Sequence, residues 1–394
     1  MKEELKNKCK NLLKKVHLQK IGQEQMVADL NRDCTAEQKR ILICYLDYLR
    51  TIRELNHNFG HTNRQEMMQI LKVCIELNLR IDVCACYDRN AIEEIRENYY
   101  DYILGFGDTF FYAKEKNPGA AAILYTTENP YRISYERETE RLRYFTERTG
   151  RTFHLERTGV YYKKDDEKKA DRIICLGEPS YFADTGKPVD RVWPSALKNP
   201  DFALDFSRKK KTNFLVYGVD GFIHKGNDIL VELFAKHPEW NLYLCGARGA
   251  EKAEEAGYKL TENVHVCGFV DTMSDQFNAI AEKCYYLLLP SCSESPSTSA
   301  LTALRHGIIP IVMKGNGLDE LGDYCRYFED YHMESIEQTI AEAVQTAMDE
   351  LTEKGYRPYY IYGNTRGEGN EHIPMRSYEK TYDELYNWEK ENHT

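Results

Sequence analysis

The stretch LPSCSESPSTSALTALRHGIIPIV, residues 289–312, sets one acid, Glu294, in a run of small hydroxyl residues just before a helix-forming segment. Hydroxyl side chains favour helix starts because their oxygens accept the unpaired N–H groups of the first turn. Small side chains there also leave those N–H groups, around Ser297, Thr298 and Ser299, open to an anion. The pattern suits plain capping and equally a ligand cradle. Glu294 either compensates the helix dipole, an effect of roughly 0.3–1 kcal/mol, or accepts hydrogen bonds from a polyol. Gly307 closes the helix, where a left-handed residue is commonly required.

A second loop has the character of a phosphate site. In FLVYGVDGFIHKGNDILVE, residues 214–232, a strand runs into Gly218 and Gly221, and Lys225-Gly226 precedes a helix with an open N-terminus. Lys225 is either a point charge for a diphosphate or a surface lysine beside a helix start. Both loops fall at neighbouring carboxyl ends of one sheet, which favours a shared ligand.

The elements that must position these loops follow from hydrophobic periodicity. Residues 1 to about 35 read as a helix, with Leu5, Cys9, Leu12, Leu13 and Val16 on one face. Apolar runs then alternate with amphipathic segments: strands over 40–47, 80–88, 100–108 and 120–130, a helix over 62–78 and a long charged helix over 134–149. Strands at 170–178 and 190–196 complete a first set. The segment 197–211, with Asn-Pro and four consecutive cations, reads as a linker. Alternation restarts with strands near 212–221, 241–249, 263–271, 284–291 and 307–313, and helices from about 226 and near 297–306. Strands alternating with helices imply right-handed crossovers and parallel sheets. The expected class is α/β, two doubly wound Rossmann-like domains facing a central cleft. The divisions are a helical extension over 1–36, a first Rossmann-like domain over 37–198, a second over 199–372 and a C-terminal helix over 373–394.

Composition narrows the function. A chain of 394 residues favours two domains, and 53 Lys+Arg against 63 Asp+Glu, a formal charge of −10, argues against a nucleic-acid binder. No run reaches the ~18 apolar residues of a membrane span, and the start lacks a signal-peptide centre. Cytoplasmic residence is the expectation. Six of the twelve cysteines lie inside strand-like runs and no CxxC pair occurs, which fits buried thiols. The sequence also lacks G-x-G-x-x-G after a strand, Walker A, H-E-x-x-H and G-x-S-x-G, so four large enzyme classes lose ground.

The second half resembles the donor domain of GT-B glycosyltransferases of the large retaining family 4, the "glycosyl transferases group 1" domain. The matching pieces are Gly218 followed by Lys225-Gly226, LYLCGARG, VHVCGFV and LPSCSES…ALTALRHGIIPIV, in order over about 215–315. The first half is more loosely similar to acceptor domains, through HNFGHTNRQE and ILYTTENP.

This resemblance implies a sugar transferred from a nucleotide-diphosphate donor to a saccharide or lipid-linked acceptor, in cell-surface polysaccharide or glycoconjugate synthesis. Glu294 would orient the donor sugar and Lys225 the diphosphate. Gly268 and Phe269 would line the base pocket, and Gly218, Gly226 and the amides of Ser297–Ser299 would complete the donor side. The family's second acid, separated from the first by seven residues, is replaced here by Thr302, which offers one hydrogen bond and no charge. An arginine that often follows the first glycine is also missing, with Val219 or Asp220 in its place. On the acceptor side the resemblance suggests His61, Tyr125, Thr126, Glu128 and Arg157, although His61 also suits a loop cap. Arg141 and Arg143 read with Arg157 as a cationic set, with Glu140 as ion-pair partner; most such charges are solvated helix faces or structural pairs, and Arg157, outside the helix, is the one best placed to meet a phosphate. No D-x-D pair occurs, so no metal and no cofactor are expected beyond the nucleotide sugar as substrate. Retention follows from the likeness. The N-terminal lysines suit either an anionic membrane surface or packing on the first domain. A sugar-nucleotide 2-epimerase and a non-catalytic glycosyltransferase-like subunit are the alternatives.

Overall fold

A computed structural model describes residues 26–31, 37–46, 62–88, 90–194, 196–197, 202–203 and 205–353. His61, most of the expected N-terminal helix and the expected C-terminal helix lie outside them. Of the described residues, 26–31, 37–46 and 67–125 form one compact unit; 62–66 and 126–353 form the other.

In the first unit the strands are β1 (Met26–Val27), β2 (Arg40–Tyr45), β3 (Arg80–Ala85), β4 (Tyr102–Gly105) and β5 (Ala121–Thr126), in the order β1-β3-β2-β4-β5. All pair in parallel except β1, which runs antiparallel to β3 with Met26 opposite Cys84. The helix expected over 1–35 therefore does not reach its end: Met26 and Val27 gain ladder hydrogen bonds that a helix would deny them. Ile41, Leu42, Ile43, Ile81 and Ile103 are almost fully buried, as expected of parallel strands covered on both faces. Helix α1 (Thr62–Glu76) follows the expected span, and α2 (Gly107–Lys116), with Phe110 and Ala113 buried, occupies a stretch where the sequence shows only a short apolar face.

The second unit opens with α3 (Tyr131–Thr149), followed by the parallel pair β6 (Arg172–Cys175) and β7 (Val189–Arg191). A six-stranded parallel sheet follows, in the order β10-β9-β8-β11-β12-β13. Its strands are β8 (Lys210–Tyr217), β9 (Asn241–Cys245), β10 (Val264–Gly268), β11 (Cys284–Leu289), β12 (Ile309–Met313) and β13 (Arg326–Phe328). The helices are α4 (Asn227–Lys236), α5 (Gly249–Glu255), α6 (Asp275–Ala281), α7 (Thr298–Arg305) and α8 (Met333–Glu353). Alternation sorts the side chains of β8. Leu215 joins Phe277, Ala300, Leu301 and Leu304 on one face, while Phe214 and Val216 join Ile229, Leu233, Ile336 and Ile340 on the other. Both class and topology are thus those of two Rossmann-like α/β sheets.

Buried polar groups lock this unit. Lys209 donates to the carbonyl oxygens of Ala281, Cys284 and His306, so one ammonium satisfies groups at the ends of α6 and α7. On α3 the inward positions Ser134, Glu138, Arg141 and Phe145 are spaced like an apolar stripe yet are mostly polar. Arg141, fully buried, pairs with Asp228 in the first turn of α4, and Arg148 donates to the other oxygen of Asp228 at 2.6 Å. Arg141 is thus no cleft-facing cation paired with Glu140. That partner belongs instead to exposed Arg143, which also meets Glu147. Among the described residues no helix is long and apolar enough to cross a membrane.

Candidate functional site

Strands β8 and β11 are parallel neighbours, with Tyr286 opposite Phe214 and Leu287 opposite Leu215. Their carboxyl ends therefore release the loops 218–226 and 290–297 side by side. The contact between them requires glycine. Gly226 has φ of +72°, and a Cβ there would lie 2.6 Å from the carbonyl oxygen of Pro290. Because the backbones press together, the preceding side chain, Lys225, reaches across: its Nζ lies 2.6 Å from Glu294 Oε1. The Ser291 hydroxyl donates to the same oxygen at 2.9 Å.

The backbone that carries Glu294 is fixed on every side. Asn129 Nδ2 donates to Ser293 Oγ and to the Glu294 carbonyl, both at 3.0 Å. Asn316 Oδ1 accepts from the Glu294 N–H at 3.1 Å while its Nδ2 donates to the Ser291 carbonyl at 2.8 Å. Arg137 on α3 holds Asn316 in turn. Ser291, Cys292, Ser293 and Ser295 are buried, and Glu294 among them is half-buried. Its Oε2 has no hydrogen-bond partner among the described residues, so that oxygen and the remaining Lys225 protons are left for a ligand.

Two carboxylates, the half-buried Glu156 and the buried Glu138, support the lysine loop from behind. Glu156 accepts N–H groups from Phe222 and Ile223, each at 2.7 Å, and from His224 at 2.9 Å. These successive amides form an anion nest, and the protein's own carboxylate fills it. Glu138 on α3 accepts the N–H groups of Glu156 at 2.7 Å, Arg157 at 3.1 Å and Thr158 at 2.8 Å. His224 closes the ring. Its Nε2 donates to the Ser293 carbonyl at 2.7 Å and its Nδ1 faces Glu138 Oε1 at 3.3 Å. Cys292 Sγ lies 3.6 Å from the same Nδ1, and the carbonyl and the carboxylate, both acceptors, favour the protonated imidazole. Beyond the ring, the Arg157 guanidinium pairs with Glu128.

The charges shift one another in opposite senses. Burial would push the Glu294 carboxyl up, but Lys225, His224 and Arg157 together hold it below the usual carboxylate range. For Glu128 burial prevails over Arg157, aided by the negative charge of Glu294, and its carboxyl is pushed up. Burial also opposes Glu138, yet His224 and the hydrogen bonds from the 156–158 segment bring it down to about 2. On His224 burial acts downward and is outweighed by Cys292, Glu138 and Glu294, so it titrates well above the ordinary value.

A stability consequence follows. A depressed carboxylate contributes stability that is present above its unfolded value near 4.5 and lost as pH falls toward 2. Glu138→Gln is therefore expected to lower stability at neutral pH by about 3 kcal/mol and to flatten the acid limb across that window. The His224 shift is the same interaction seen from the other partner and is not added. Urea unfolding at neutral and acid pH measures this; an acid limb as steep as in the unsubstituted protein would refute it.

The structure thus brings Lys225, Glu294, Glu128 and Arg157 into one constellation, with Gly226 beneath it. Gly218 lies near the Lys225 stem, since a Cβ there would be 4.0 Å from Lys225 Cε, and its N–H donates to the Cys245 carbonyl. Ser297 caps α7, its hydroxyl accepting from the Ala300 N–H and meeting Ser299 Oγ at 2.7 Å. The N–H groups of Thr298 and Ser299 head that helix, where no intrahelical acceptor precedes them. Gly268 and exposed Phe269 end β10, two strands from β8 or roughly 10 Å. Thr302 sits in the core, its hydroxyl accepting from the Leu197 N–H at 3.1 Å. On the acceptor side Tyr125 is buried in the first unit, edge-on to Tyr45, and Thr126 is buried with no partner for its hydroxyl among the described residues. Sequence reasoning missed Asn129, Glu138, Glu156, His224 and Asn316. The run E-T-E-R-L-R gives no sign of which acid turns inward.

Residues 202–354 match the family described as glycosyl transferases group 1. No curated protein sequence matches the chain. Solved structures do. WaaG, "a glycosyltransferase involved in lipopolysaccharide biosynthesis", superposes with a TM-score of 0.53 at 15% identity, over 88% of this chain and 99% of its own. Anabaena Alr3699/HepE, solved in complex with UDP and glucose, gives 0.52 at 10% identity over 90% and 100%. The lipopolysaccharide outer core galactosyltransferase WaaB gives 0.51 at 13% over 89% and 99%. These likenesses carry the fold, two Rossmann-like sheets as in GT-B enzymes, and the domain match assigns residues 202–354 to the glycosyl transferases group 1 family.

Proposed function

We propose that this protein moves a sugar from a nucleoside-diphosphate donor to a hydroxyl of a saccharide or lipid-linked acceptor, in the making of a cell-surface polysaccharide or glycoconjugate. The observation that carries the reading is the Lys225–Glu294 pair at 2.6 Å, spanning two adjacent strand ends. The cation takes the diphosphate and the carboxylate takes sugar hydroxyls, with the first-turn amides of α7 as further donors. The base lies toward Gly268 and Phe269. The anomeric C–O bond to phosphate breaks as the acceptor oxygen bonds to that carbon on the same face, and the acceptor proton passes to the departing phosphate. Neither a metal nor a cofactor takes part. Alr3699/HepE, solved with UDP and glucose, makes UDP-glucose the first donor to try.

A thermal-shift screen of nucleoside diphosphates and their sugars tests this, since a ligand of the native state alone raises Tm. At 100 times Kd the gain is about 2.7 kcal/mol, several degrees. No shift with any of them would reject the reading. Nucleotide release from a bound sugar donor separates an enzyme from a subunit that binds without turnover, and inversion at C2 would indicate an epimerase instead.

A further inference from the structure

The lysine loop has a deficit of positive charge for a diphosphate. Within residues 218–226 the cations are Lys225, already matched by Glu294, and the buried His224, already matched by Glu138, while the neighbouring Lys252 is spent on Asp220 at 3.4 Å. The amides of 222–224 are spent on Glu156. A second mobile cation must therefore come from elsewhere.

Arg157 is built to be that cation. Its stem lies on the bare backbone of Gly221, where a Cβ would approach Arg157 Cγ to 2.8 Å. Its own N–H is held by Glu138, and the residue before it holds the loop, so the backbones of 156–158 and 222–224 are stapled together. Its guanidinium pairs with the Glu128 carboxylate and lies over the face of Tyr161, within reach of the charge of Glu294, with its side chain 24% exposed. A guanidinium with donors to spare suits phosphate oxygens better than an ammonium does.

We propose that Arg157 is a donor-side residue: on nucleotide binding its guanidinium leaves Glu128 for the diphosphate, and Glu128 takes a proton from solvent in exchange. This rests on the reading of the site as a nucleotide-sugar site. The charged groups around Glu128 are Arg157, Glu294 behind Lys225, and His224. Burial already pushes the Glu128 carboxyl up with Arg157 opposing it. Losing that partner while an anion arrives removes what keeps it ionised.

Isothermal titration of UDP, GDP, CDP and dTDP near neutral pH, in two buffers of different ionisation enthalpy, reads affinity and proton uptake together. The unsubstituted protein is expected to take up about one proton per nucleotide. Arg157→Ala should weaken binding on the order of 10- to 100-fold, with Arg157→Lys between. Glu128→Gln keeps its shape, and should bind at least as tightly while uptake falls close to zero. Arg157→Ala within twofold of the unsubstituted protein, or undiminished uptake in Glu128→Gln, overturns this inference and leaves the proposed function standing. Failure of the unsubstituted protein to bind any of the four overturns both.

Discussion

Glu294→Gln is expected to cut turnover of the sugar donor by roughly 10- to 100-fold while the fold survives. A charge-assisted hydrogen bond is worth roughly 1.5–3 kcal/mol, and 1.36 kcal/mol off the barrier is a factor of ten. Glutamine keeps the side-chain volume and can still accept from Ser291, 2.9 Å away in the native site. It cannot neutralise Lys225, and its amide group places a donor where the free oxygen of Glu294 would accept from a sugar hydroxyl. The loop itself should stay in place, because Asn129, Asn316 and His224 hold its backbone independently of the carboxylate. Nucleotide release, measured beside circular dichroism, checks both halves. Turnover within threefold of the unsubstituted protein would remove Glu294 from the mechanism.

The second large effect concerns stability. Asp228→Asn should destabilise the protein by about 3–5 kcal/mol, the usual result of removing one partner from a buried ion pair. Asp228 and Arg141 are both fully buried, and Arg148 shares the carboxylate. Among the described residues Nε and Nη1 of Arg141 already lack hydrogen-bond partners, with the rings of Tyr144 and Tyr331 5.8 and 6.0 Å away. Asparagine would leave two guanidinium groups sharing one neutral oxygen. Adding Arg141→Met should recover part of the loss, since an apolar residue there needs no counter-charge. Urea unfolding decides the point; a loss under about 1 kcal/mol would mean that water or backbone shifts compensate.

The contrast between these two residues shows what the chain discloses by itself. Glu294 and Lys225 were legible because each sits where a strand gives way to a helix, and strand order at such switch points follows from alternation. The sheets were legible for the same reason: runs such as CYYLLL, buried at every position, have no other stable home. The inward face of α3 was not. Glu138, Arg141 and Arg148 have the spacing of a core stripe and the composition of a wet surface, and local periodicity ranks composition first. Their partners are 224, 228 and 232, far along the chain, where no short-range pattern points. Thr302 shows the converse error. It holds the place of a ligand group by spacing, yet its hydroxyl serves the backbone at Leu197.

The ionic inner face of α3 also bears on how the protein is made. Its partners follow it by 87 residues at Asp228 and by 178 at Gly315. At translation speeds of 5–20 residues per second, the emerging segment waits roughly 4 to 40 s for them. A greasy stripe exposed for that long on the ribosome would invite aggregation. Arginines and glutamates stay hydrated in the meantime, so the nascent polypeptide defers its desolvation cost until the loops that accept those charges have been synthesised.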